Sequence, residues 1–211
     1  MTRGAASEPR RRPVQARSVA TVDAIVQAAA QVFARHGYAA GTTNRIADRA
    51  GVSIGTLYQY FPNKDAILIA LIERHVQEGE ELLVPLLRDL VEHPPAPHDA
   101  LQRIFDALLE LHAREPALHR VLFEEAPRPR RLLDHLTHQF DLACAALASY
   151  LDSRPEITVP DTQLAAQLVI QTAEAITHGL VIHPRSHTSP HTYATETITM
   201  LTRYLTTPPN P

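Results

Sequence analysis

A single cysteine, Cys144, is the only thiol in this 211-residue chain. No internal disulfide can form, and a reducing compartment is expected. Cys144 itself is expected to be a small core residue on a helix rather than a redox sensor. No apolar run approaches the roughly 18 residues that span a bilayer. Arg10, Arg11 and Arg12 stand near the N-terminus, but no apolar segment follows them as a signal peptide requires. A cytoplasmic protein without membrane contact is therefore expected. Glycine is scarce, with seven residues, and none of them builds a phosphate-cradling loop. The G-x-S-x-G and H-E-x-x-H patterns are missing as well. The carboxylate pairs Glu80–Glu81 and Glu124–Glu125 read as solvated charge. No enzyme activity and no cofactor are expected.

Net charge is also small, only −3, and it is unevenly divided. Residues 1–64 carry nine Lys or Arg against three Asp or Glu, a balance of +6. Residues 65–211 carry eleven against twenty, a balance of −9. A basic head attracts phosphate, while an acidic body cannot bind it non-specifically. Arg3, Arg10, Arg11, Arg12 and Arg17 lie in an aperiodic arm, residues 1–17, expected to be disordered. Arg35, Arg45, Arg49 and Lys64 lie within or beside periodic segments.

What is abundant is apolar residues, 45% of the chain, and proline, seventeen residues. The apolar residues recur at three- and four-residue steps, and the prolines separate the runs. Helices are expected from Ser18 to Gly37, then over 43–50, 54–60 and 64–92, where Pro85 should kink or divide the segment. Further helices are expected over 99–114, 116–125, 130–153, 161–183 and 191–205. The last segment is rich in threonine and partly alternates like a strand. Its wider pattern, Ala194, Ile198, Leu201 and Leu205, is helical. The fold class is all-α with about nine helices, and residues 207–211 should be a disordered tail.

The segment Thr42–Lys64, TTNRIADRAGVSIGTLYQYFPNK, carries the most information. Thr42 caps one short helix, and Gly51 supplies the left-handed residue that stops it. Ser53 caps a second, and Pro62 ends it. Two helices joined by a short glycine turn form the helix-turn-helix, whose second helix enters the major groove. The pattern TTxxIAxxAGVSxGTLYxYFxxK closely resembles the DNA-binding signature of tetracycline-repressor-type (TetR) transcriptional regulators. Phe33-Ala-Arg-His-Gly37-Tyr38 upstream and Lys64-Asp65-Ala66-Ile67-Leu68 downstream extend the likeness over about residues 18–78.

That resemblance implies a DNA-binding domain over 18–78, with the first body helix starting near 64, and a ligand-binding and dimerisation domain over 79–206. It implies that Thr43, Tyr58, Tyr60 and Lys64 contact phosphate, while Ser53, Ile54, Gly55, Thr56 and Gln59 lie near bases. Thr42 and Arg45 complete the expected DNA-binding set. The partners implied are double-stranded DNA with a palindromic operator, a second copy of the chain, and a small-molecule effector that releases a repressor. A ligand-independent or metal-responsive regulator of the same fold is the alternative.

Two sets of body residues follow. The helix over 161–183 is apolar all round and should be buried on more than one face. Its stripe Leu164, Leu168, Gln171, Ala175, His178, Gly179 and Ile182, with Ile198, Leu201 and Leu205 of the last helix, is the dimer face that the resemblance implies. Phe105, Leu108, Leu109, His112, Leu122, Phe123 and Phe140 lie on helices expected to surround an effector, with His112 as polar anchor. They serve equally well as ordinary core. His135 and His138, and His183, His187 and His191, have ligand-like spacings. They read as solvated histidines rather than a metal site.

Overall fold

Residue-level chemistry explains where most of the helices begin. In the computed structural model, residues 16–125, 130–183 and 188–208 are described. Most of the arginine-rich arm, the end of the C-terminal tail and His187 lie outside them. Nine α-helices and no strand occur among the described residues: α1 (Ala16–Ala40), α2 (Thr43–Ala50), α3 (Ile54–Tyr60), α4 (Lys64–Glu92), α5 (Pro97–Ala113), α6 (Pro116–Arg120), α7 (Arg130–Asp152), α8 (Thr162–Ile182) and α9 (Pro190–Thr206). A π-helical turn, Val121–Glu125, continues α6. Proline occupies the first turn of α5, α6 and α9, where its missing N–H has no helical acceptor to lose. Asp161 caps α8 through the Leu164 N–H at 2.9 Å. No helix among the described residues is long and apolar enough to cross a membrane.

Two compact units divide the chain. The first holds the residues up to Val76 together with Glu115–Arg130, and the second holds Gln77–Arg114 with the residues from Arg131 onward. The segment after α5 therefore packs with the N-terminal helices. α6 and the π-turn lie against α1. Within the first unit Ile25, Phe33, Ile46, Leu57, Phe61, Ile67 and Leu68 are fully buried.

The second unit is built around Leu90, Leu101, Phe105, Tyr150, Val169 and Ile198. The Tyr150 hydroxyl donates to the Pro95 carbonyl at 2.7 Å, so a buried phenol is satisfied at the end of α4. Cys144 is buried in this core, and burial, with Asp141 nearby, pushes its thiol up to about 11. A thiol held so far from ionisation is a packing residue, in line with the sequence reading.

Two local conflicts in the sequence are resolved here. Pro85 neither ends nor divides α4. It and Glu81, whose carbonyl loses its helical donor, are both exposed, so water can serve that carbonyl. In α9 the hydroxyls of Thr195, Thr197, Thr199, Thr202 and Thr206 each donate to the carbonyl four residues earlier, at 2.7–2.9 Å. Each threonine thereby hides its polar atom on its own backbone. Ala194, Ile198, Leu201 and Leu205 form the buried stripe, and the segment is helical rather than extended.

Candidate nucleic-acid interface

The turn between α2 and α3 follows from four side chains. Thr42 Oγ1 accepts the Arg45 N–H at 3.3 Å, and Ser53 Oγ accepts the Thr56 N–H at 3.0 Å. Each cap contributes about 1 kcal/mol. Gly51 sits at φ 68°, and its N–H closes on the carbonyls of Ala47 and Asp48. Leu57 and Phe61 anchor the inner side of α3 in the core.

The outer side of α3 is left open. Ser53, Ile54, Gly55, Tyr58 and Gln59 are exposed, and Thr56 and Tyr60 are half-buried. Ile54 keeps 39% and Tyr58 41% of its surface, a large apolar exposure for so short a helix. Thr43 and Tyr58 share a hydrogen bond of 3.0 Å, which ties α2 to α3. Gly55 has no internal reason to be glycine: a Cβ there would meet nothing closer than Ser53 Oγ at 3.7 Å. Thr42 and Arg45 are also exposed. Arg45 donates to the Ala40 carbonyl at 3.2 Å. With Arg35 and Arg49 it lines an open depression of about 570 Å³ on α1 and α2, into which Asp48 also faces.

Lys64 is differently engaged from the expectation. Its ammonium donates to the carbonyl of Tyr38 at 2.6 Å, and lies 4.0 Å over the Tyr38 ring. It therefore caps the end of α1, where helical geometry breaks at Gly37 (φ 72°, ψ 171°). Replacing Lys64 with Ala should lower the melting temperature as well as weaken binding to every DNA sequence alike. The salt dependence should flatten by about one charge per subunit. An unaltered melting curve would mean the internal contacts are idle, and an unaltered salt slope would remove Lys64 from the phosphate contacts.

Tyr38 is the residue that sequence reasoning missed. Its N–H donates to Glu125 at 2.8 Å, its hydroxyl donates to Asp65, and its ring packs 5.5 Å from that of Phe33. Burial, and then Asp65, hold the phenol well above its ordinary pKa. Glu125, exposed as the sequence reading expects, is thus also a partner for the end of α1. Beside it, Phe123 packs 4.3 Å from His119, and His75 of α4 lies 5.1 Å from His119.

The seven residues expected around an effector fall in both units. Phe105 and Leu108 are core residues of the second unit, with Leu109 and Phe140 packed against the same core. Leu122 is buried and Phe123 half-buried in the first unit. His112 is buried and places Nε2 3.2 Å from that of His178 on α8. His178 Nε2 is also 3.2 Å from Glu174, whose side chain is 37% accessible. Among the spaced histidines, His135 pairs with Glu80 at 2.9 Å.

The expected dimer face divides in the same way. On α8, Leu164, Leu168, Gln171, Ala175 and Gly179 are exposed, and His178 and Ile182 half-buried. On α9 the expectation is corrected: Ile198, Leu201 and Leu205 are at most 4% exposed, inside the protomer's own core. The apolar residues α9 offers outward are Met200 and Tyr204.

Residues 25–71 match the family described as bacterial regulatory proteins, tetR family, and residues 96–205 match the tetracyclin repressor-like C-terminal domain. The transcriptional repressor SCO4008 of Streptomyces coelicolor is 33% identical over 106 residues, 50% of this chain and 50% of that protein. The chain thus spans about half the length of that curated relative. A TetR-family regulator from Mesorhizobium loti superposes with a TM-score of 0.68 at 20% identity, covering 90% of this chain and 98% of that one. The FadR regulator of Bacillus subtilis, solved with stearoyl-CoA, gives 0.63 at 22% identity, covering 89% and 99%.

Proposed function

The chain belongs to the tetR family of bacterial regulatory proteins, and from that premise we propose a homodimeric repressor that leaves a palindromic operator when a small, mainly apolar molecule binds. The observation that carries the DNA-binding half is the outer face of α3, where a capped helix leaves Ile54, Gly55, Tyr58 and Gln59 open. Helix N-terminal amides and hydroxyls suit phosphate, and Ile54 suits a thymine methyl group. α3 carries no Arg, Lys or Asn, so guanine must be read from elsewhere, through Arg45 or arm arginines in the minor groove.

Gln59 is then the one side chain of α3 able to pair with adenine N6 and N7. Replacing it with Ala should relax specificity at one position per half-site, at a cost of about 1–3 kcal/mol. Binding-site selection on wild type and variant tests this. Identical sequence preferences would leave Gln59 bonding only to phosphate or water.

The effector half rests on the family and on the placement of the segment Glu115–Arg130 within the same unit as the head. Glu125 holds the N–H of Tyr38, so a pull on the π-turn reaches the end of α1 directly. A tilt of α4 reaches the same point through Lys64 and Asp65. Either motion changes the spacing of the two recognition helices, and a fixed half-site spacing then no longer fits. FadR of Bacillus subtilis was solved with stearoyl-CoA, so a long-chain acyl thioester is the first effector to titrate against the operator complex. Failure of acyl thioesters, fatty acids and other apolar ligands to release the DNA would favour the ligand-independent reading.

A further inference from the structure

We propose that His112, Glu174 and His178 form a three-ligand site for a divalent transition metal, zinc in the first instance, joining α5 to α8. The proposal does not depend on the effector proposed above. Its basis is the convergence of three donor atoms. His112 Nε2 and His178 Nε2 are 3.2 Å apart, and His178 Nε2 and Glu174 Oε2 are 3.2 Å apart. One ligand atom from each of the three residues lies within 4.8 Å of the other two. In a tetrahedral site with zinc bonds of 2.0–2.1 Å, neighbouring donors stand about 3.3 Å apart. Two of the three edges already have that length. The third is within 4.8 Å, and Glu174, with 37% of its side chain accessible, has room to turn.

The ring centroids of His112 and His178 are 4.3 Å apart and their planes tilted by 57°, so the rings have to open further for both nitrogens to aim at one ion. Glu174 and His178 are one helical turn apart on α8 and share a face. His112 comes from the last turn of α5, and α5 packs on α8 within one unit.

His178 Nε2 faces an imidazole nitrogen and a carboxylate oxygen at the same distance, and His112 is 3% exposed. A dication serves all three lone pairs at once. Two imidazoles and a carboxylate leave a fourth position open, the arrangement of zinc sites that exchange a ligand. Imidazole donors favour zinc, copper or nickel over magnesium or calcium.

The experiment uses the full chain, stripped with a chelator and titrated with zinc chloride against a chromophoric competitor, with magnesium chloride as control. Wild type should bind one zinc per chain tightly and melt at a higher temperature with zinc but not magnesium. Glu174→Gln and His178→Gln keep side-chain volume at partly exposed positions, so they should fold. Each should lose at least tenfold in zinc affinity and lose the zinc-dependent rise in melting temperature. His135→Gln, outside the site, should behave as wild type. The proposal is overturned if wild type shows no zinc-dependent rise. It is equally overturned if either α8 variant binds zinc as wild type does, since other histidines would then hold it.

Discussion

Replacing Ala175 with Glu should give a protein that scatters light as a monomer, keeps its helical content and loses the operator. The expected fall in affinity is at least roughly a thousandfold, the low end of the gap between specific and non-specific DNA binding. On α8 Leu164 keeps 49% and Leu168 41% of its surface, and Gln171, Ala175 and Gly179 continue the same stripe into solvent. A Cβ added at Gly179 would meet nothing within 4 Å, so the protomer itself does not require a glycine there. A stripe of leucine, alanine and glycine suits a helix laid closely against its own twofold mate. Met200 and Tyr204 on α9, 56% and 40% exposed, extend the apolar surface. A carboxylate placed in such a seam is buried without a partner, and an isologous interface meets it twice. The monomer then holds one half-site, and the second no longer adds its binding energy. A variant that remains dimeric and holds the operator within a few-fold of wild type would place the interface on another face.

The difference between α8 and α9 shows what the sequence could and could not give. Helix ends were legible because they are local: Thr42, Gly51, Ser53 and Asp161 act on neighbours within five residues. Faces were legible where one side is plainly apolar. On α9 the buried face is legible from Ala194, Ile198, Leu201 and Leu205, even though threonine serves both sides. Its hydroxyl bonds back to the helix, so Thr197 is buried and Thr195 exposed. The stripe Ile198, Leu201 and Leu205 is buried by the protomer itself rather than by a partner; periodicity marks a buried face without saying what buries it. The same ambiguity governs Phe105 and Leu108, which fit a pocket wall or a filled core and occupy the core. Contacts distant in sequence left no signal at all. Glu125 and Tyr38 are 87 residues apart and His112 and His178 66 apart.

Two glycines of the head should respond oppositely to the same methyl group. Gly41→Ala should destabilise the protein by about 1–3 kcal/mol, the usual cost of overpacking, lowering the melting temperature by roughly 2–12 °C for a chain of this size. Gly41 is buried and its φ is not positive, so conformation is not what excludes alanine there. Space is. A Cβ would lie 2.4 Å from Cδ1 and 2.7 Å from Cε1 of Phe33, and 3.0 Å from the Gly37 carbonyl oxygen. Phe33 is fully buried and its ring is held against Tyr38, so it cannot swing clear without disturbing the residue that joins α1, α4 and the π-turn. DNA affinity should therefore fall together with stability. At Gly55 the methyl meets only Ser53 Oγ, at 3.7 Å, within a helix where alanine is favoured over glycine by about 0.5–1 kcal/mol. Gly55→Ala should melt at or above the wild-type temperature and still lose operator affinity, because the methyl stands between α3 and the duplex. Melting curves and operator titrations on both variants separate the two causes. If Gly55→Ala binds DNA like wild type, α3 does not approach the duplex closely at that residue. If Gly41→Ala melts like wild type, the contact between α1 and α2 is looser than the packing of Phe33 against Gly41 implies.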